Sequence, residues 1–192
     1  MGVLDDNRVI LTGENPFIRL CESDDSPPST DASLWRVIFS PTGPGHALYL
    51  KSELTENRWR IYSDNEALAR WLQSTVQGRL NAETSDTAIP LIVASFAATG
   101  DVRTRWTERV SAEDEEIVLT WSEIGDPLLL CTQPRDELVR PYGVITILFP
   151  ALDGRISRNG TEAVGRVWPR AREGRPFSTC ALAFSESWTE SR

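Results

Sequence analysis

Short β-type segments separated by turn residues run through most of the chain, and their spacing constrains the fold more than any other feature of the sequence. Each segment is rich in β-branched or aromatic residues, and Gly, Asn, Asp or Pro residues separate it from the next. About ten antiparallel strands are therefore predicted. The segments span residues 34–39, 46–54, 57–63, 90–99, 101–110, 115–123, 127–132, 142–150, 154–158, 161–167 and 178–188. Asn159 and Gly160 predict a tight hairpin turn between two of them.

One helix is predicted, over residues 64–80. Ser63 and Glu66 have the spacing of a capping box at its start. Apolar side chains then recur at helical spacing on one face, at Leu68, Trp71, Leu72 and Val76. This apolar stripe is expected to cover a sheet, and segment 90–99, which is apolar on both faces, is the strand expected beneath it.

The number of strands and their short connections favour a sheet that curves or closes. A long antiparallel run either splits into two layers or closes on itself, and closure removes the exposed edges that invite aggregation. We therefore predict a mainly β fold, an antiparallel meander that forms a barrel or a strongly curved sheet with the helix packed on it. This architecture resembles that of calycin and lipocalin barrels, although their helix lies late in the chain. The resemblance rests on no residue motif, so it assigns no functional residue.

Length and composition favour one domain, residues 1–192, with a small molecule as its partner. Residues 22–33, ESDDSPPSTDAS, predict a mobile acidic loop rich in Ser and Pro. The net charge of −8 disfavours binding to nucleic acids or anionic membranes. No leader pattern and no membrane-length apolar run is found, so a cytoplasmic protein with three reduced cysteines is expected. Self-association as a homodimer stays open.

Two glutamates lie among apolar residues on the same face of their strands, and they are the main candidates for a functional site. Glu108 shares a phase with Trp106, and Glu186 shares a phase with Trp188. An inward carboxylate costs several kcal/mol unless it is paired, neutralised or hydrated. Glu108 and Glu186 therefore indicate either a ligand cavity or a structural role.

Both interpretations make distinct predictions. If both carboxylates point into one apolar lumen, desolvation and mutual repulsion raise their pKa values, and at least one is protonated near neutral pH. In the structural alternative, an inward arginine such as Arg36 or Arg60 pairs with Glu108, and Glu186 reaches solvent at the end of its strand.

His46, the only histidine, follows a Pro-Gly turn and has two interpretations. Counted along its strand, it falls in the phase of Leu48 and Leu50, which places it on the inner face near the mouth of the sheet. Alternatively, the neighbouring glycines and prolines make it a loop residue. Lys51, in the opposite phase, is expected to be solvated.

The chain lacks the motifs that specify most kinds of catalysis. With one histidine and no phosphate-binding loop or dinucleotide motif, no metal site and no cofactor is predicted. Acid–base chemistry is the remaining route for an enzyme, with Glu108, Glu186 and His46 as the candidate catalytic groups. The tryptophans Trp106, Trp121 and Trp188 suit either core packing or the walls of a ligand site.

Three functional hypotheses follow from these residues. The first is a small-molecule-binding barrel for a mainly apolar or ring-containing ligand, in which the three tryptophans form walls and the two glutamates orient the ligand. The second is a cofactor-free lyase or isomerase that uses carboxylate or imidazole groups in the same cavity. The third is a non-catalytic interaction domain.

Overall fold

Fifteen strands, two consecutive short α-helices and two 3₁₀ helices (Glu53–Thr55 and Ala82–Ser85) form the part of the chain that the computed structural model describes, residues 7–134, 141–172 and 174–191. The strands are β1 (Asn7–Glu14), β2 (Phe17–Leu20), β3 (Thr30–Phe39), β4 (Gly45–Lys51), β5 (Arg60–Ser63), β6 (Leu91–Val93), β7 (Ser95–Asp101), β8 (Arg105–Ser111), β9 (Glu116–Ile124), β10 (Leu128–Thr132), β11 (Tyr142–Arg158), β12 (Thr161–Glu162), β13 (Pro169–Arg172), β14 (Arg175–Ser178) and β15 (Cys180–Ser191). The α-helices are α1 (Glu66–Ser74) and α2 (Val76–Leu80). The prediction of a mainly β protein is confirmed.

Thirteen of the described strands belong to one large sheet. Its main path runs β6-β5-β4-β3-β1-β15-β11-β9-β8-β7, with β2, β10 and β12 attached beside it. Neighbours pair antiparallel throughout the described residues except for β5 and β6, which run parallel. The two end strands of this path, β6 and β7, follow each other in the chain with only Ala94 between them. Strands β13 and β14 form a separate hairpin.

The large sheet has a core on each of its two faces. In the inner core, side chains from strands that lie far apart in the strand order are in contact. Leu34 and Leu48 cluster there with Leu119, Trp121 and residues of β11 and β15. The sheet therefore curves around this cluster. The outer core lies on the opposite face of β3, β4 and β5, where Trp35, Tyr49 and Ile61 pack with the helices.

The helical region differs from the prediction at its start and in its middle. Its N-cap is Asn65, whose side chain accepts a hydrogen bond from the backbone N–H of Leu68. Ser63 instead donates its hydroxyl to the backbone carbonyl of His46, so the predicted capping box is absent from this site. The helix also breaks at Thr75, which has φ −118° and ψ −102°. The broken helix still buries Leu68, Leu72 and Val76, while Trp71 is only partly buried.

The strand beneath the helix is not the predicted one. Helix α1 packs on β4 and β5, whereas residues 90–99 form the two end strands of the sheet and are largely exposed. Residues 90–99 were predicted as one strand, but they form two short strands with different partners, the first paired with β5 and the second with β8.

Two local predictions have clear outcomes. Asn159 and Gly160 form the tight turn between β11 and β12 with φ of 50° and 79°, so the hairpin prediction is confirmed. Strand β3 begins at Thr30, inside the range 22–33 that was predicted as loop. None of the helices among the described residues has the length and apolarity needed to cross a membrane.

Candidate functional site

A β-bulge in β15 places the two candidate glutamates on opposite faces of the sheet. Between the partners of Ile145 and Ile147, β15 contains one residue more than β11, and Ser185 there has a φ of 53°. One extra residue reverses the alternation of side chains beyond it. Phe184 therefore packs against the inner core, whereas Glu186 faces the outer side.

The expectation of one lumen lined by all five predicted ligand-binding residues is therefore wrong. Trp106 and Trp121 belong to the inner core or pack against it, and Glu108 lies beside Trp106. Trp188 belongs to the outer core, and it lines a cavity together with Glu186.

This outer cavity has a volume of about 290 Å³ and lies between α2 and the strands β2, β10, β11 and β15. Its floor consists of buried side chains, and its rim is more exposed. Polar groups and one indole form most of the floor, namely Asn15, Ser33, Gln77, Thr146, Glu186 and Trp188. Apolar walls complete it, at Phe17, Leu130, Val144, Leu148, Phe177 and Ala183.

Glu186 is the charged group of the cavity floor. Only 4% of the residue is exposed, and its Oε1 accepts a hydrogen bond of 2.6 Å from Nε1 of Trp188. Burial raises the pKa of Glu186 to about 7, and hydrogen bonds from Trp188 and Thr146 lower it in part. Among the described residues, no cation lies within ion-pair distance of this carboxylate. A carboxyl group with such a pKa can take up or release a proton near neutral pH.

A hydrogen-bond network holds the amides of the floor. Oε1 of Gln77 accepts from Nε1 of Trp35 at 2.8 Å and from the hydroxyl of Ser33 at 2.9 Å. Asn15 donates from Nδ2 to the Ser33 hydroxyl oxygen and to the carbonyl of Leu34. Because both donors contact Oε1, they fix the orientation of the Gln77 amide.

Arginines give the rim of the outer cavity a positive charge. Nε of Arg19 lies 3.5 Å from Oδ1 of Asp31, and burial raises the pKa of that aspartate. Arg79 and Arg172 also line the rim and form no ion pair with any described residue. The outer cavity therefore combines a buried acidic group at its floor with an excess of guanidinium groups at its mouth.

Glu108 is held by an arginine on the inner side, as the structural alternative predicted. Only 1% of Glu108 is exposed, and its Oε1 accepts from Nη2 of Arg36 and, at 2.8 Å, from Nε1 of Trp106. Nη1 of Arg36 donates to Glu14 at 2.8 Å, so one guanidinium joins two carboxylates. We call Glu14, Arg36, Glu108 and Trp106 the Arg36 cluster.

His46 lies in β4 next to the Arg36 cluster, as the strand interpretation predicted. Arg36 is its cross-strand partner. Nδ1 of His46 lies 2.6 Å from Oδ2 of Asp64, and its ring stacks on Phe96 with a centroid distance of 4.9 Å. These contacts hold the imidazole in one orientation, and they place it away from Glu186.

The amide groups of the cavity floor and the arginines of its rim were not among the residues predicted from the sequence. Gln77 of the floor lies next to Val76, the last residue of the apolar stripe of the helix, and it is buried. Its position was the available signal, since a buried amide needs hydrogen-bond partners.

Neither metal-binding geometry nor similarity to known proteins indicates a function. Within residues 7–134, 141–172 and 174–191, no group of three or more His, Cys, Asp or Glu side chains could hold a metal ion. No protein-family model, curated protein or solved structure matches the chain. The chemistry of the outer cavity is therefore the basis for inferring function.

Because its pKa is raised, Glu186 should destabilise the folded protein, relative to a Glu186→Gln variant, by an amount that depends on pH. In the unfolded chain this carboxyl ionises with a pKa near 4.5, but in the folded protein only near 7, so folding takes up a proton between these values. The contribution of Glu186 to stability is thus complete at low pH and is lost as the pH rises towards 7. Glu186→Gln imitates the protonated form and should exceed the original protein in stability by about 3 kcal/mol at about pH 8.

The measurement is urea unfolding of both proteins at about pH 5 and about pH 8. At the lower pH the difference between the two free energies of unfolding should fall to about 1 kcal/mol or less. A stability difference that does not change with pH would show that the carboxyl of Glu186 ionises normally.

Proposed function

We propose that this protein binds a small, mainly apolar or ring-containing molecule in the outer cavity. The observation that carries the proposal is the buried carboxyl of Glu186, which faces a cavity of about 290 Å³ and has no cation to pair with in the part of the chain that the structure describes. Ligand sites in proteins commonly have volumes of about 300–1,000 Å³ and combine apolar walls with a few converging polar groups. The outer cavity, close to the lower limit of this range, suits a compound of one or two rings.

A closed barrel is part of the same proposal. Residues 91–101 pair with β5 at one end of the strand order and with β8 at the other. Such a switch of partners would close the sheet in the manner of a calycin barrel. The inner core would then fill the barrel, and the ligand site would lie on its outer surface beneath α2.

A cavity-filling variant tests the proposed function. Ala183 is buried and lines the outer cavity, so Ala183→Phe should occupy the space of a ligand ring. We expect binding of single-ring compounds, measured by isothermal titration calorimetry, to weaken at least about tenfold. The matched control is Ala97→Phe on the exposed face of β7, which should leave binding unchanged.

Circular dichroism of both variants must show the β-rich spectrum of the original protein. Equal binding by Ala183→Phe and the original protein would place the ligand elsewhere. If no single-ring compound bound the original protein, the proposed function itself would be refuted.

A further inference from the structure

We propose that the molecule bound in the outer cavity carries a protonated amine that contacts Glu186, joined to a ring that lies among the apolar walls. This inference rests on the proposed function of the outer cavity and specifies the chemical class of its ligand.

Of the two acidic residues that are buried in the described part of the chain, Glu108 and Glu186, only Glu186 lacks a cation. Two partly buried carboxylates also face an arginine, in the pairs Glu115–Arg158 and Asp31–Arg19. Around Glu186 the described hydrogen-bond donors are neutral, the indole of Trp188 and the hydroxyl of Thr146. Glu108 is therefore paired with a cation inside the chain, whereas Glu186, which is equally buried and opens into the floor of the outer cavity, has none among the described residues.

A protonated amine would complete the environment of this carboxylate. A carboxylate has about four lone-pair positions, and two neutral donors leave some of them without a partner. Burying an ion is costly unless an opposite charge and hydrogen bonds compensate it. An ammonium group supplies both at once, and its hydrogen bonds to a carboxylate are about twice as strong as those between neutral groups.

The rest of the cavity determines how such a ligand would be oriented. Val144, Leu148 and Trp188 surround the space next to Glu186 with apolar surface, which suits a ring. At the mouth, Arg79 and Arg172 repel a cation, so the amine would point to the floor and not to the rim. An acidic group on the outer end of the same ligand would be favoured by these arginines.

Three compounds with one carbon skeleton test the inference, 2-phenylethylamine, 2-phenylethanol and phenylacetate. They present a cation, a neutral hydroxyl and an anion to the cavity floor, with closely similar ring and chain. In calorimetric titrations at about pH 8, we expect the amine to bind at least about tenfold more tightly than the alcohol, because only the amine pairs with the ionised Glu186. Phenylacetate should bind most weakly.

Two substitutions test whether the carboxylate of Glu186 causes the preference for the amine. Glu186→Gln should weaken binding of 2-phenylethylamine at least about tenfold and leave 2-phenylethanol nearly unchanged. The matched control is Glu190→Gln on the same strand, where the carboxylate is partly exposed and pairs with Arg8. This control should bind all three compounds as the original protein does. Ala183→Phe should weaken the amine and the alcohol alike, since it removes space and not charge.

The possible outcomes separate the inference from the proposed function. If 2-phenylethanol or phenylacetate binds most tightly, or if Glu186→Gln binds the amine unchanged, the amine class is wrong and the cavity remains a binding site. If none of the three compounds binds the original protein, or if Ala183→Phe binds them unchanged, the proposed function fails as well. Thermal unfolding of each variant confirms that it folds before titration.

Discussion

Replacing Arg36 by methionine is expected to lower the free energy of unfolding by about 3–5 kcal/mol, because the substitution leaves the buried carboxylate of Glu108 without its cation. Glu108 is 1% exposed, and one of its oxygens, Oε2, has no hydrogen-bond partner among the described residues. The indole of Trp106 would remain as a neutral donor, which is insufficient for a buried ion. Glu14, the other partner of Arg36, is less buried and can be hydrated.

Two further variants show whether the unpaired charge of Glu108 causes the loss of stability in Arg36→Met. Arg109→Met, in the same region of β8, breaks an exposed pair with Glu116 and should cost less than about 1 kcal/mol. The double variant Arg36→Met/Glu108→Gln removes both charges and should recover much of the stability that the single variant loses. Chemical unfolding of the three proteins gives the comparison. A loss for Arg36→Met no larger than that for Arg109→Met would mean that the pair is not required to hold Glu108.

Truncating Trp188 is expected to cost a similar amount, about 3–5 kcal/mol for Trp188→Ala, because a large buried ring is lost and its space is not refilled. Trp188 is 1% exposed and packs against Trp35 and Tyr142, with ring centroids 6.2 Å apart in both pairs. The same substitution also removes the indole N–H that donates to Glu186.

Trp188→Phe separates the packing of the ring from its hydrogen bond. It keeps most of the apolar volume, so its loss of stability should be smaller, about 1–3 kcal/mol, and should come chiefly from the unpaired oxygen of Glu186. Because the lost hydrogen bond lowers the pKa of Glu186, this pKa should rise further in Trp188→Phe. Urea unfolding measures the first effect, and carbon-13 NMR titration of the carboxyl measures the second. If Trp188→Ala and Trp188→Phe lost the same free energy of unfolding, packing of the Trp188 ring would not be the main source of the loss.

The candidate residues show which parts of the site were predictable. Alternation along β8 placed Glu108 on the apolar face correctly, and Arg36 was already a possible partner in the sequence. Alternation along β15 identified Glu186 as a polar residue among apolar ones, and the expected rise of its pKa agrees with the structure. The predicted repulsion from Glu108 is absent from the causes of this rise, since the two carboxylates lie on opposite faces of the sheet.

Local patterns in the sequence were sufficient to predict the mainly β character, the approximate positions of most strands and of the helix, and the polar residues on otherwise apolar strand faces. These features depend on neighbours a few residues apart, and alternation and helical periodicity report them directly. The face on which Glu186 lies could not be predicted in this way, because the bulge at Ser185 depends on how β15 pairs with a distant strand. The same is true of the cavity floor that Gln77 of the helix and Asn15 after β1 share, since contacts between distant segments leave no periodic signal in the chain.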